Sequence, residues 1–324
     1  MKILVYSFND KIGDGLQKVT FIQKLKEIYP QSHLTYSTTN TTTLKDTLSP
    51  LVKFYIDEFI EYNQIKSSFF DLFKKKNKFL GKKFDLIIDL QKVVLRTLNL
   101  KKIPHARFFS TSANFLFSDI NNKKKLEFKN VYIEDFYFNI LNIISNKNLK
   151  VPSMHIPFHK IVNSKINSTK KKIAIAPGAS SPERTWQFEK YFEIGKFLRE
   201  NNYEVFFFLG PDEIKYLDVC LKNNFPCPEW NDNGEKISDN ILFIMNLAKK
   251  MDYCLCNDSG TSWFFQFAGV NTMKIFGKTN SIKFARPGYC YPIQTSKFGY
   301  DNIQDFTTIL YKKELKKFIK LESN

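Results

Sequence analysis

The feature that most constrains this 324-residue chain is an alternation, run through twice, of short apolar segments with longer amphipathic ones. Such alternation specifies βαβ units, because consecutive parallel strands need a long crossover that also covers the sheet face. In the first half the strand candidates are residues 2–7, 33–37, 53–56, 85–90 and 107–110. Between the first two, Leu16, Val19, Ile22, Leu25 and Ile28 recur at helical spacing, and Pro30 ends the run. The pattern restarts after a Lys-, Asn- and Ser-rich stretch, residues 160–170, which reads as a linker. Strands are then expected at 172–176, 204–209, 253–256 and 272–276, with helices at 187–200, 211–223, 238–250 and 259–268. A last helix over 304–321 closes the chain and is long enough to pack back on the first half. The expected architecture is α/β: two doubly wound, Rossmann-like domains facing a cleft, over residues 1–160 and 161–324.

Hydrophobic residues make up 43% of the chain, enough for real cores, and no apolar run approaches the eighteen or so residues of a membrane-spanning helix. The opening Met1–Phe8 run gives way at once to Asn9, Asp10 and Lys11, so it reads as a first strand and not as an export signal. Cys220, Cys227, Cys254, Cys256 and Cys290 form no Cys-x-x-Cys pair, which fits reduced, buried thiols of a cytoplasmic protein. The four histidines show no ligand spacing; His155 and His159 are separated by Pro157, which forbids a helical pair. Neither a metal nor a cofactor is expected.

Charge is unevenly placed. The net charge is +17, and residues 66–129 alone hold 16 basic against 5 acidic side chains. Lys74, Lys75, Lys76 and Lys78 are its densest cluster. A field of this sign suits nucleic acid, an anionic membrane surface or an acidic substrate, or else is only a solvated lysine face. No nucleic-acid-binding module surrounds the lysines, which argues against that partner.

Three loops compete as phosphate sites. Gly13-Asp14-Gly15 begins like a dinucleotide fingerprint, but Lys18 stands where its third glycine belongs, and no acid follows the second strand. Gly277-Lys278-Thr279 imitates the end of a P-loop, yet Thr272 occupies the place of the required upstream glycine. The third loop, Asn257-Asp258-Ser259-Gly260, follows an apolar strand and opens a helix. Ser259 is a good N-cap and Gly260 permits close approach to backbone N–H groups, so the turn either caps a helix or holds a diphosphate. Two more corners of the same half add Ser180, Ser181 and Arg184 after one strand, and Asp212 and Glu213 after another. Hydroxyls, a guanidinium and ribose-directed carboxylates together suit a nucleoside diphosphate.

In this order the residues resemble glycosyltransferase family 9, the lipopolysaccharide heptosyltransferases. The likeness rests on Ile12-Gly13-Asp14, Tyr29-Pro30, Pro177-Gly178-Ala179, Arg184-Thr185-Trp186, Gly210 with Asp212 and Glu213, the Asn257–Gly260 turn, and Phe276-Gly277. It implies a GT-B fold, an acceptor-binding first domain, a second domain holding a nucleotide sugar, and inversion at the anomeric centre without bound metal. Asp14 falls at the general base. Ser180, Ser181 and Arg184 fall at the diphosphate, Asp258, Ser259 and Gly260 at sugar and phosphate, and Glu213 at the ribose. Three positions depart from the family: Trp263 stands where a histidine is usual, Arg184 replaces a lysine, and Gly277-Lys278-Thr279 replaces Gly-Pro-Thr. The expected function is transfer of a sugar, heptose by family default from ADP-heptose, to an anionic lipid-linked saccharide such as lipopolysaccharide core. Lys74, Lys75, Lys76 and Lys78 would then meet acceptor or membrane, with the protein cytoplasmic and peripheral at the inner membrane. The rivals are a GT-B transferase with another donor and acceptor, and a weakened member that only binds.

Overall fold

A computed structural model describes residues 1–73, 77–120, 128, 130–160, 166, 169–231 and 233–321. They form two compact units that divide after Pro152. Each unit is built on a five-stranded, wholly parallel sheet.

In the first unit the strands are β1 (Lys2–Ser7), β2 (His33–Thr38), β3 (Glu58–Ile60), β4 (Phe84–Asp89) and β5 (His105–Ser110), in spatial order β3-β2-β1-β4-β5. The helices are α1 (Ile12–Ile28), the short α2 (Ser49–Val52), α3 (Val94–Lys101) and α4 (Ile133–Ser145). Strands β1 and β4 are central and buried on both faces, which is why they read as nearly unbroken apolar runs. The third strand lies later than expected. Pro50 sits in the first turn of α2, so the apolar residues at 53–56 complete that helix and its turn, and the pairing strand begins at Glu58. Three residues long and at the sheet edge, it has too little pattern to announce itself.

In the second unit the strands are β6 (Lys172–Ala176), β7 (Glu204–Phe207), β8 (Tyr253–Asn257), β9 (Asn271–Phe276) and β10 (Cys290–Gln294), in order β10-β9-β8-β6-β7. The helices are α5 (Phe188–Glu200), α6 (Leu217–Lys222), α7 (Ile241–Ala248), α8 (Gly260–Phe267), α9 (Ser281–Phe284) and α10 (Thr308–Ile319). Strand β10 carries Pro292, which an edge position tolerates because no ladder hydrogen bond is needed from it there. α10 packs against α5 of its own unit: Tyr311 stacks on Trp186 with ring centroids 4.4 Å apart.

Trp186 and Asn257 hold the functional edge of the second sheet. Trp186 is fully buried and donates its indole N–H to the Phe306 carbonyl at 2.8 Å. Asn257, the last residue of β8, donates to the Pro177 carbonyl at 2.6 Å and accepts from the Trp186 backbone N–H at 3.0 Å and the Tyr191 hydroxyl at 3.1 Å. One buried amide thus ties the loop after β6 to the end of β8. Truncating it would leave several buried polar groups unpaired at about 1–3 kcal/mol each. Asn257→Ala is therefore expected to destabilise the protein by about 3–5 kcal/mol, read from the midpoint shift in a urea or guanidinium titration.

Candidate functional site

In the second unit β6 and β8 are neighbours, but the chain leaves β6 toward β7 and leaves β8 toward β9, on opposite sides. Loops after two such strands diverge, and in open α/β sheets the position beyond their carboxyl ends is where a ligand crevice is expected. Residues 177–181 and the 3-10 turn Pro182–Arg184 follow β6; Asp258, Ser259 and α8 follow β8. Ser259 caps α8, its hydroxyl oxygen accepting from the Ser262 N–H at 3.4 Å. The first-turn N–H groups of the helix then point outward beside Gly260, where an anion is favoured.

Glu213 joins them from the 3-10 turn Pro211–Tyr216 beyond β7. Its carboxylate lies where side chains would be at Gly178 and Gly210: a Cβ there would stand 2.7 and 2.8 Å from Oε2. Burial, then the neighbouring Asp212, raises its carboxyl pKa above the ordinary value. Ser180, Ser181, Asp212, Glu213 and Tyr216 share the wall of one depression of about 330 Å³, within the range of small-ligand sites. Arg184 is exposed at the end of its turn and does not line that depression. A Cβ on Gly277 would meet the Glu183 carbonyl oxygen at 2.8 Å, so the absence of a side chain there lets the Arg184 turn lie against the end of β9.

A residue the sequence reading passed over lies under this edge. Lys274, in the middle of β9, is fully buried and donates to Asp258 Oδ1 at 2.8 Å. Its ammonium stands 5.1 Å from the centre of the Trp263 ring and 5.0 Å from that of Phe276. Trp263, the departure from the family pattern, is only 3% exposed: it packs beneath the ammonium and not as an open pocket wall. A lysine amid Thr272, Met273, Ile275 and Phe276 was the available signal, since lysine is almost never buried unless paired.

The first sheet has the same divergence between β1 and β4. Asp14 is exposed in the first turn of α1, beyond β1. Beneath it, Lys18 donates to Asp10 Oδ1 at 2.5 Å and to the Asp14 carbonyl at 3.0 Å. Asp10 also accepts from Tyr36 at 2.7 Å, Ser7 at 2.8 Å and Thr42 at 3.1 Å. Burial would push the Asp10 carboxyl up; the Lys18 ammonium and these hydrogen bonds outweigh it and hold it below the ordinary carboxylate value. So Lys18, which breaks the dinucleotide fingerprint, is the buried anchor that sets the start of α1. From the β4 side, Arg96 stacks on Phe8 at 3.7 Å and donates to Gln91 Oε1 at 3.1 Å. Burial raises the Asp89 carboxyl to about 6, against hydrogen bonds from Thr97, Gln91 and Ser110.

Of the basic cluster, Lys74, Lys75 and Lys76 lie outside the described residues. Lys78 is exposed on the 3-10 turn Asn77–Phe79. In the same stretch of chain, Phe69, Phe70 and Phe73 are 60%, 77% and 76% exposed.

Comparison with known proteins bears on the family and the fold. The model of "Glycosyltransferase family 9 (heptosyltransferase)" matches residues 73–304. The lipopolysaccharide core heptosyltransferase OpsX of Haemophilus influenzae is 21% identical over 285 residues, 85% of this chain and 78% of that protein. A family 9 glycosyl transferase from Veillonella parvula superposes with a TM-score of 0.64 at 16% identity, covering 99% of this chain and 97% of that one. ADP-heptose lipopolysaccharide heptosyltransferase II of E. coli gives 0.60 at 16% identity, with 99% of both chains covered. The fold is therefore GT-B, with two Rossmann-like units. Matched over well more than half its length, the chain belongs to glycosyltransferase family 9, the heptosyltransferases, and is a glycosyltransferase.

Proposed function

We propose that the protein is an inverting transferase that moves heptose from ADP-heptose to a hydroxyl of an anionic, lipid-linked saccharide of the lipopolysaccharide core. The observation that carries this reading is the placement of the chemistry at both topological switch points. A carboxylate stands on one, and two serine hydroxyls with a capped helix start stand on the other. Family membership and the OpsX relative support the choice of sugar and acceptor.

In the proposed mechanism the second unit binds the donor. Ser180, Ser181, Gly260 and the first-turn N–H groups of α8 take the diphosphate, Glu213 the ribose hydroxyls, and Asp258 the sugar. The acceptor hydroxyl, held by the first unit, attacks the anomeric carbon from the face opposite the diphosphate, which inverts that centre. Asp14 removes the hydroxyl proton as the new C–O bond forms. The bond to the diphosphate breaks, and Arg184 neutralises the charge that gathers on the leaving oxygen.

We further propose that the enzyme works in the cytoplasm as a peripheral protein of the inner membrane. Among the described residues no helix is long and apolar enough to cross a membrane. Exposed Phe69, Phe70 and Phe73, followed in the sequence by a lysine cluster, suit a surface that is apolar beneath and anionic above.

Four experiments test the reading. Asp14→Asn should lower kcat by roughly 10²–10⁴-fold while ADP-heptose affinity stays constant; near-normal turnover would return Asp14 to a helix-start carboxylate. Arg184→Ala should weaken ADP binding by about 1.5–3 kcal/mol and AMP binding much less, because AMP lacks the distal phosphate. Equal losses in calorimetric titrations would place Arg184 elsewhere. A nucleotide-sugar panel run beside them separates heptose from any other donor. Reversing Lys74, Lys75, Lys76 and Lys78 to Glu should abolish co-sedimentation with anionic liposomes and raise KM for a lipid-linked acceptor, leaving ADP binding intact. Each lysine contributes about 1 kcal/mol near such a surface, and high salt should mimic the variant. A variant that still sediments and turns over normally would reduce these lysines to a solvated face.

A further inference from the structure

The donor loops pose an electrostatic problem that the sequence motif hides. Asp258 sits one residue before the helix cap, at the place where an anionic diphosphate is expected to settle. A carboxylate beside a phosphate repels it, and does so strongly where water is scarce. The Asp258 side chain is only 8% exposed, so solvent screens it little.

The structure assigns the answer to Lys274: we infer that it is a positioning residue of the donor site, whose buried ammonium cancels the Asp258 charge and fixes that carboxylate at the start of α8. The inference rests on the proposed donor-binding role of the second unit. Four contacts hold the ammonium in place. Asp258 Oδ1 lies at 2.8 Å, the Phe284 carbonyl at 3.5 Å, and the Trp263 and Phe276 rings present their faces at 5.1 and 5.0 Å. Ring faces carry partial negative charge, so together with the carbonyl they compensate the cation without a second carboxylate. With the side chain 0% exposed, the ammonium itself is out of reach of solvent. It therefore acts through Asp258: one carboxylate oxygen is engaged by Lys274, and the other is left to accept from a donor hydroxyl. A neutral strand residue at 274 would leave Asp258 charged against the diphosphate; an acidic residue at 258 without this lysine would be a poor neighbour for any phosphate.

Charge cancellation makes a prediction that mere packing does not, namely that affinity for a diphosphate follows the net charge of the pair. ADP is the probe, since it carries the diphosphate but no sugar for Asp258 to hold. Calorimetric titration would compare wild type, Lys274→Met, Asp258→Asn and the double variant, each first checked for a folded baseline by circular dichroism. Lys274→Met should bind ADP roughly 10–100-fold more weakly. Asp258→Asn, which leaves the cation uncancelled, should bind ADP as tightly as wild type or more so. The double variant, neutral again, should return to within about threefold of wild type. If Lys274→Met does not fold, the order of the other three proteins carries the same test: Asp258→Asn at or above wild type, with the double variant beside it. Equal ADP affinity in wild type and Lys274→Met, or a folded double variant that binds no better than Lys274→Met, overturns the inference and leaves the pair as a packing device. A wild-type protein that binds ADP not at all overturns the donor-site reading, and this inference with it.

Discussion

A parallel sheet delivers the carboxyl end of every strand to the same edge, and both units of this protein depend on that constraint. Among the described residues ten strands in two sheets run parallel, so the loops that bear Asp14 in one unit and Ser180, Ser181 and Asp258 in the other arise at equivalent edges. Where chain order reverses across neighbouring strands, the loops cannot cover each other. The positions of the candidate groups are therefore consequences of connectivity. The side chains then decide what the openings recognise.

Each opening is underpinned by a lysine paired with an aspartate that lies just beyond a central strand: Lys18 with Asp10 after β1, Lys274 with Asp258 after β8. Such pairs are weak sources of stability, since taking two charges out of water costs about as much as their attraction returns. Their geometry explains their presence better. Asp10 gathers bonds from Ser7, Tyr36, Thr42 and Lys18, and Lys18 also reaches the Asp14 carbonyl, so the cluster fixes where α1 begins. Asp258 is fixed from below by a lysine caught between two aromatic faces. A loop that must present one carboxylate in one orientation gains from a partner that cannot move.

How legible these features are in the sequence follows from burial. Strands β1, β4, β6, β8 and β9 are covered on both faces, so their apolar runs stand out at nearly the observed boundaries. Edge strands β3 and β10 are short or interrupted, by charge at Glu58 and by Pro292, and neither is found where it lies. Helix α4 is dense in Phe, Tyr and Ile, a composition as fitting for a strand as for a helix, and goes unrecognised. Motifs in loops are readable because glycine and capping residues have local meanings: Ser259 does cap α8. Lys18 and Lys274 are not readable as anchors, because what gives each its role is an aspartate brought alongside by the fold.

On the proposed reading, the two units also use different electrostatics for different ligands. A nucleoside diphosphate is small and of fixed shape, and loops held by buried pairs and one buried amide can match it group by group. A lipid-linked saccharide in an anionic surface is large and variable, and no single geometry would fit it. For such a partner an excess of basic side chains, concentrated in residues 66–129, is the appropriate instrument. Exposed charges act over about 8 Å at physiological salt and tolerate disorder in what they attract. The +17 net charge is thus better understood by where it lies than by its size: preorganised contacts where specificity is needed, and a screened field where capture is enough.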